Sequence, residues 1–258
     1  MVDFHSHILF DVDDGSRDFS MSVRMIEESI HEGVTMMAVT PHDIEGVYST
    51  EKEEYQEKFD QLKETFKGRI ELIPSMEIMI NAHLREDLKS GRVFGYNYSK
   101  TILVEFNLID YPSYAEGIFY KLKKEGYQVI LAHPERYKVL REDPGILYHL
   151  IDLGVIFQLN AGSLIGHFGE KVTAFAEKLV TKNLIHMVGS DGHNDDKRNT
   201  KIKYAYDRIN ELNPELYANI MENSPRIIKG EKGEFLPYKD WEKASHKKKR
   251  GFFNFFGK

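Results

Sequence analysis

Five histidines and three carboxylates of this chain stand where short apolar stretches end. His5 and His7 close the first stretch as His-Ser-His, and because side chains alternate along a strand, both imidazoles project to the same side. The others follow later stretches: His42, Glu77, Glu105, His133, Asp191 and His193. Imidazole and carboxylate groups suit divalent transition metals such as manganese, iron and zinc. The pattern predicts a metal centre.

An acidic loop, FDVDDG, follows the histidine pair and adds Asp11, Asp13 and Asp14. A plain Asp-Gly turn is the alternative interpretation of this loop. With Asp14 the set has nine ligands, more than one or two metals normally take, so we expect about three divalent ions. Packed carboxylates repel one another without cations. Because the chain lacks thiolate ligands, we expect manganese, with iron or zinc as alternatives.

Two arginines stand close to these ligands in the sequence. Arg136 lies three residues after His133, and Arg198 lies five residues after His193. A guanidinium group is always charged and binds phosphate oxygens with two parallel hydrogen bonds. We expect both arginines to bind phosphate, the alternative being ordinary surface salt bridges.

Seven short aliphatic stretches alternate with segments of helical spacing. The stretches are 2–4, 34–40, 70–74, 101–106, 128–132, 155–159 and 184–189. Strict alternation predicts parallel strands with crossover helices, and we expect a somewhat irregular seven-stranded β/α barrel. An open doubly wound sheet is the alternative. In a barrel all strand ends open on one face, which would bring the nine ligands together. The remaining histidines are interpreted as structural or surface residues: His31, His83, His149, His167, His186 and His246.

Composition narrows the class of protein. The chain has 258 residues, 41% of them hydrophobic, and no cysteine, which excludes thiol nucleophiles and zinc–thiolate sites. No stretch approaches the roughly 18 apolar residues of a membrane span, so we expect a cytoplasmic protein. The net charge of −6 disfavours nucleic acid as a partner.

We expect one domain over residues 1–238 and a tail over residues 239–258. The tail combines clustered lysine and arginine residues with four phenylalanines. Such a segment could bind an anionic membrane surface or a membrane-bound partner. A solvated tail is the alternative.

The motifs HSHILFDVDDG, TPH, ME, VEF, AHPER and SDGHN together resemble the polymerase and histidinol phosphatase (PHP) superfamily of phosphoesterases. Their order and flanking residues are most similar to the manganese-dependent protein-tyrosine phosphatases encoded with capsule and exopolysaccharide genes of Gram-positive bacteria, over residues 1–229. The resemblance implies a PHP fold, a distorted TIM-like barrel of seven strands holding three metals on the nine ligands named above. It also implies phosphate binding by Arg136 and Arg198.

The expected reaction is attack of a metal-bound hydroxide on the phosphorus of phosphotyrosine. Because the pKa of tyrosine is about 10, its phenolate needs less acid assistance to leave than an alkoxide does. Metal-site histidines such as His42 and His193 could still assist. The resemblance implies that the substrate is a bacterial tyrosine kinase that regulates capsule or exopolysaccharide synthesis.

Other functions are compatible with the same residues. A small-molecule phosphatase related to histidinol phosphatase is the first alternative, and a nuclease is a more remote one. A binding module that keeps the fold without catalysis is the alternative from another class.

Overall fold

The structure, a computed structural model, describes residues 1–241. Their strands, in chain order, are β1 Val2–Asp3, β2 Met36–Val39, β3 His42–Asp43, β4 Glu71–Pro74, β5 Glu77–Met79, β6 Thr101–Glu105, β7 Gln128–Ala132, β8 Ile156–Asn160 and β9 Met187–Gly189. Their helices are α1 Phe19–His31, α2 Lys52–Thr65, α3 Leu84–Ser90, α4 Ala115–Lys124, α5 Lys138–Glu142, α6 Gly145–Asp152, α7 Glu170–Thr181, α8 Lys203–Leu212 and α9 Pro214–Ile227. Short 3-10 turns occupy Tyr96–Tyr98, Pro134–Arg136 and Ala161–Ile165.

The strands pair in parallel throughout, in two sheets. One has the order β1-β2-β4 and the other the order β3-β5-β6-β7-β8-β9. The division falls where prolines interrupt the chain: Pro41 separates β2 from β3, and Pro74 ends β4 just before β5. Proline has no N–H for the ladder. The expected α/β fold with parallel strands is confirmed, whereas a single seven-stranded barrel stays a prediction.

Hydrogen bonds also join the first and last strands. The amide of Phe4 donates to the carbonyl of Val188 over 3.1 Å, and the amide of Asp191 donates to the carbonyl of His5 over 2.8 Å. The chain just after β1 therefore lies beside β9 and the residues that follow it. This contact places the first and last predicted ligands next to each other.

Side chains divide between two apolar clusters according to strand alternation. Met36 and Ala38 pack in the smaller cluster with Leu103 and Ile130, whereas Met37 lies in the larger one against the helices. The smaller cluster gathers side chains from strands of both sheets. Residues two or four positions further along the same strands point toward the same space.

The helices cover the outside of the strands and end where the sequence indicates. Gly33 and Gly126 follow the caps of α1 and α4 with φ of +89° and +84°, which is the left-handed conformation that favours glycine at this position. Within residues 1–241, no helix has the length and apolar character that a membrane crossing requires.

The segment after α9 returns along the body of the protein. The amide of Lys239 donates to the carbonyl of Lys182 over 2.8 Å. Trp241 packs on Phe175, with ring centroids 5.3 Å apart, and Nζ of Lys178 lies 4.2 Å from its ring. Residues 239–241 thus contact the domain that we expected to end at residue 238. The rest of the predicted tail lies outside the described residues.

Candidate metal centre

Glu77, the first residue of β5, lies at the centre of the predicted ligands and is fully buried. Its Oε2 atom is 3.0 Å from Nε2 of His5, 3.3 Å from Nε2 of His7 and 3.1 Å from Nδ1 of His42. Its Oε1 atom is 3.0 Å from Nε2 of His133. One carboxylate therefore faces four imidazoles that come from three separate segments of the chain.

The donor atoms form three overlapping groups within residues 1–241. Atoms of each group lie within 4.8 Å of one another. The groups are His5–His7–Glu77, His42–Glu77–Glu105 and His7–Asp14–His42–His193. The two predicted ligands outside these groups adjoin them, because Asp191 Oδ1 lies 3.4 Å from His7 Nε2 and His133 Nε2 lies 4.0 Å from Glu105 Oε2. The structure brings all nine predicted ligands together.

Several buried atoms of this cluster make no hydrogen bond to any part of the chain within residues 1–241. They are Nδ1 of His42, Oε2 of Glu77, Oε1 of Glu105, Nδ1 of His133 and Nε2 of His193. Leaving a buried polar atom unpaired costs about 1–3 kcal/mol. Ligand atoms that lie close together without hydrogen-bonding one another are what a metal centre requires, so the residues fit divalent cations.

Neighbouring side chains orient two of the imidazoles. Nδ1 of His5 lies 2.9 Å from Oε1 of Gln158, whose own amide nitrogen donates to the carbonyl of Leu159 over 2.7 Å. Nδ1 of His7 lies 2.8 Å from Oδ2 of Asp13. Because both partners accept, each Nδ1 donates a proton to its partner, and Nε2 is the ring atom that faces the cluster. These Nε2 atoms are 3.0 Å apart and point at one place.

Gln158, Asn160 and Asp13 contact the candidate ligands in ways that the sequence analysis did not predict. The Asn160 amide donates to Oδ2 of Asp191 over 2.7 Å, and Asp13 also accepts from the amide of His42 over 2.9 Å. Strand alternation could have indicated the direction of the two amide side chains. Gln158 and Asn160 lie two and four residues after Ile156 in β8, and Ile156 belongs to the smaller apolar cluster.

Two of the predicted ligands have unusual backbone conformations. His133 has φ of +34° and Asp191 has φ of +52°, in a region that non-glycine residues rarely adopt. His133 directly follows β7, and Asp191 lies two residues after the end of β9. Such strain collects at functional sites, where the surrounding structure holds it in place.

Glycines allow two close approaches at the centre. A Cβ atom on Gly15 would lie 2.3 Å from the carbonyl oxygen of His7, and one on Gly189 would lie 2.5 Å from Cβ of His5. Any larger residue would push the acidic loop or β9 away from the histidine pair.

The pKa values of the cluster's carboxylates are shifted in opposite directions. Burial by itself would raise the pKa of Glu77, but the charges of His5 and His42 hold that pKa well below its usual range. Burial and the charge of Glu77 raise the pKa of Glu105. The pKa of Asp191 stays well below its usual range despite burial, because of His193 and its other cationic neighbours. The cluster needs positive charge to keep all its carboxylates ionised.

Both predicted phosphate-binding arginines lie beside Asp191. Arg136 Nη1 is 2.7 Å from Oδ2 of Asp191, and the guanidinium lies 4.5 Å from the ring centroid of Phe168. Arg198 Nη2 is 3.1 Å from Oδ1 of Asp191, and its side chain is 38% exposed. The pairing with Asp191 fixes both cations at the edge of the cluster, where an anion from solvent can reach them.

A cavity of about 450 Å³ opens over the cluster. Asp14, His42, Glu77, Glu105 and His133 line it together with both arginines. Its lining also includes the apolar or aromatic residues Ile44, Tyr48, Leu108 and Ile109, of which the last two are exposed. An anionic group entering this cavity would meet the candidate metal ligands and the two guanidinium groups at the same time.

The other residues named from the sequence lie away from the centre. The Asp11 side chain is 82% exposed, so among the three acidic-loop residues only Asp13 and Asp14 face the cluster. His186 accepts a hydrogen bond from the amide of Phe157 over 3.0 Å, a structural role. His31, His83, His149 and His167 are not in any of the donor groups, and His246 lies outside the described residues.

Comparison with known proteins places the chain in a family. The model of the family "Capsular polysaccharide synthesis, CpsB/CapC" matches residues 1–229. The chain is 39% identical over 235 residues to the tyrosine-protein phosphatase YwqE of Bacillus subtilis (strain 168), covering 90% of this chain and 92% of that protein. The match therefore extends over nearly all of both proteins.

Solved structures agree with this assignment. The chain superimposes with a TM-score of 0.89 and 35% identity on a structure described with YwqE from Bacillus subtilis and CpsB from Streptococcus pneumoniae as unique metal-dependent tyrosine phosphatases, covering 94% of this chain and 100% of that one. Histidinol phosphate phosphatase of Lactococcus lactis, complexed with zinc, L-histidinol and phosphate, superimposes with a TM-score of 0.54 and 17% identity over 82% of this chain and 93% of that one, a likeness of fold alone. The chain belongs to the CpsB/CapC family of capsular polysaccharide synthesis proteins.

Proposed function

We propose that this chain is a metal-dependent protein-tyrosine phosphatase. The observation that carries the proposal is the convergence of nine imidazole and carboxylate side chains, with two arginines, at the floor of one open cavity. The family relatives named as tyrosine-protein phosphatases support it. The chain has no cysteine, so hydrolysis must proceed without a thiol nucleophile.

The proposed centre holds three divalent ions, manganese by preference and iron or zinc otherwise. The three donor groups, which share Glu77, His7 and His42, support that number. When bound, the ions would lower the pKa of water to supply a nucleophile near neutral pH and would offset the charge that develops on the phosphate. The proposed ligands are His5, His7, Asp14, His42, Glu77, Glu105, His133, Asp191 and His193.

The protein side chains have separate roles in this proposal. Arg136 and Arg198 bind the phosphate oxygens and hold the phosphorus over the cluster. Gln158 and Asp13 keep Nε2 of His5 and His7 free of protons, so that these atoms can act as ligands. His42 and His193 face Asp14 at 3.5 Å and 3.4 Å near the cavity, and the ring nitrogen of either one that binds no metal could hold a proton for the departing phenolate.

A protein substrate agrees with the shape of the site. The cavity opens on the surface, and Ile109 at its edge is 85% exposed. An enclosed pocket would favour a small molecule instead. We propose a bacterial tyrosine kinase of capsule or exopolysaccharide synthesis as the substrate, in keeping with the family description.

The barrel, the cellular location and the role of the tail are also proposed for this chain. We propose that the two sheets act as one closed barrel, since the residues after β1 and β9 bond to each other. Its strands number seven when β2 with β3, and β4 with β5, are each counted as one interrupted strand. We propose a cytoplasmic protein, with residues 1–238 as the catalytic domain. The basic and aromatic residues within 239–258 would then contact an anionic membrane surface or a membrane-bound partner.

Substrate preference tests the proposed function. Chelator-stripped protein, before and after addition of manganese, is assayed on a phosphotyrosine peptide, a phosphoserine peptide and histidinol phosphate, with His5→Ala and the exposed His149→Ala as a matched control. We expect activity that manganese restores, that favours phosphotyrosine, and that only His5→Ala abolishes. Preference for histidinol phosphate would assign a small-molecule phosphatase, and inactivity with every metal would leave a binding module.

A further inference from the structure

Apolar and aromatic residues of the cavity support the assignment of a second binding site, which rests on the proposed function. We propose that Ile44, Tyr48, Leu108 and Ile109 form an aryl subsite, which binds the aromatic ring of the phosphotyrosine side chain. The four residues line the same cavity as the candidate metal ligands. The subsite would select aryl phosphates over aliphatic ones.

One wall of the aryl subsite is a short closed loop between Ile44 and Tyr48. The amide of Ile44 donates to the carbonyl of Tyr48 over 2.8 Å, and the amide of Tyr48 donates back over 2.9 Å. Gly46, with φ of +75°, makes the turn between them. The two main-chain hydrogen bonds hold the backbone of both residues in place before a substrate arrives, which lowers the entropy cost of binding.

Tyr48 also connects this wall to the metal centre. Its ring is nearly parallel to the imidazole of His42, with an interplanar angle of 14° and centroids 5.9 Å apart. His42 in turn lies against Glu77 and Glu105 at the floor. A phosphate bound beside His42 would therefore lie near an aromatic surface.

A second wall is the loop after β6, which contributes Leu108 and Ile109 to the lining. Leu108 is 39% exposed and Ile109 is 85% exposed. The loop is held below them, because Asn107 Oδ1 accepts from the amide of Ile109 over 3.1 Å and the ring of Tyr111 packs edge-on against Phe106 with centroids 5.4 Å apart. Adjacent apolar side chains kept in water beside a charged cavity are a feature of binding surfaces.

The two walls and the floor differ in the chemistry that they can bind. The floor binds an anion, whereas the four wall residues offer apolar or aromatic surface. Phosphotyrosine has the same order of groups, with a phosphate at the end of a phenyl ring. In phosphoserine the phosphate is nearer the main chain by the length of that ring, so its main chain would have to enter between the apolar walls, where its amide groups would lose water.

Non-hydrolysable ligands test the aryl subsite independently of catalysis. The dissociation constants of phenylphosphonate and methylphosphonate are measured on the manganese-loaded full chain. The variants are the double substitution Leu108→Ser with Ile109→Ser, and Tyr48→Leu. Ile165→Ser is the matched control, since Ile165 is 50% exposed and does not line the cavity. Because Leu108 and Ile109 are exposed, we expect the double variant to fold.

We expect wild type and Ile165→Ser to bind phenylphosphonate about tenfold or more tightly than methylphosphonate. The double variant should lose most of this ratio while its affinity for methylphosphonate stays the same, and Tyr48→Leu should reduce the ratio in part. An unchanged ratio in the double variant, or no preference in wild type, would overturn the aryl subsite. Failure of the proposed function would instead show as inactivity on the phosphotyrosine peptide, which this binding assay does not use.

Discussion

Gln158 in β8 holds the imidazole of His5 from the side opposite the metal centre. Their side chains meet at 2.9 Å within the buried interior, although 153 positions separate them in the chain. Because Gln158 Oε1 can only accept, this contact places the proton of His5 on Nδ1 and leaves Nε2 facing Glu77. A neutral amide therefore sets the orientation of a candidate ligand and the ring nitrogen that it presents to the centre.

Replacing Gln158 with methionine should weaken metal binding without removing a ligand. Loss of such a supporting contact typically costs about 10–100-fold in metal affinity, and we expect a decrease of that size in Gln158→Met. Manganese titration of the metal-free protein, followed by calorimetry, measures it. Gln128→Met is the matched control, because Gln128 starts β7 and donates to the carbonyl of Gly154 at 2.6 Å. Equal affinities of wild type and Gln158→Met would contradict the role of Gln158.

Replacing Arg136 with lysine should impair catalysis while the metals stay bound. The substitution keeps the charge but loses the fork that binds two phosphate oxygens, so we expect kcat/KM for a phosphotyrosine peptide to fall by about 100-fold. Arg69→Lys, whose guanidinium pairs with Glu27 on the surface, should retain full activity. A wild-type kcat/KM in Arg136→Lys, at equal metal content, would show that Arg136 does not bind the phosphate.

His186 should make the free energy of unfolding depend on pH. Burial lowers the pKa of His186 to about 4 in the folded protein, whereas an unfolded histidine has a pKa of about 6.5. Between these values the unfolded chain binds a proton that the folded one does not, so the stability falls as pH decreases from about 6.5 to about 4. The full loss from this one group is about 3 kcal/mol.

His186→Asn should remove that part of the pH dependence. An asparagine oxygen can still accept from the amide of Phe157, but the side chain does not titrate. Urea unfolding at pH 7 and pH 4.5 measures the effect, with the exposed His149→Asn as control. If the difference in stability between wild type and His186→Asn stays constant between the two pH values, His186 does not titrate in this way.

Ending the chain after Trp241 should preserve the fold better than ending it after Tyr238. The shorter chain loses the ring contacts of Trp241 with Phe175 and Lys178 and the hydrogen bond from the Trp241 amide to the hydroxyl of Tyr148. We expect the free energy of unfolding to be lower by about 1–3 kcal/mol in the shorter chain. Urea unfolding of both chains measures it, and equal stabilities would mean that residues 239–241 add nothing to the fold.

The ligand set could be predicted from the sequence because its residue types are chemically distinctive and follow apolar strands. Glu77 and His42 lie at the same strand parity as inward-facing residues such as Ile73 and Ala38, so their direction was available from alternation. The supporting residues were harder to identify. Gln158 and Asn160 are neutral amides with many common roles, and only their contacts with His5 and Asp191 reveal what they do.

Other features depend on tertiary structure that the sequence pattern does not contain. The positive φ of His133 and Asp191 arises where the chain leaves a strand and must turn its side chain toward the floor. The division into two sheets follows from the interruptions near Pro41 and Pro74, which an alternation of apolar residues does not show. The sequence does not distinguish Leu108 and Ile109 from core residues, because only the structure shows that both are exposed beside the cavity.

The most direct test of the account follows phosphotyrosine hydrolysis as manganese is returned to the metal-free protein, with bound metal counted at each step. We predict negligible activity in the stripped protein and a rise with bound manganese that ends near three ions per chain, with Glu77→Gln inactive throughout. Full activity in the stripped protein, or in the continued presence of a chelator, would contradict the metal-dependent phosphatase that the cluster around Glu77 supports.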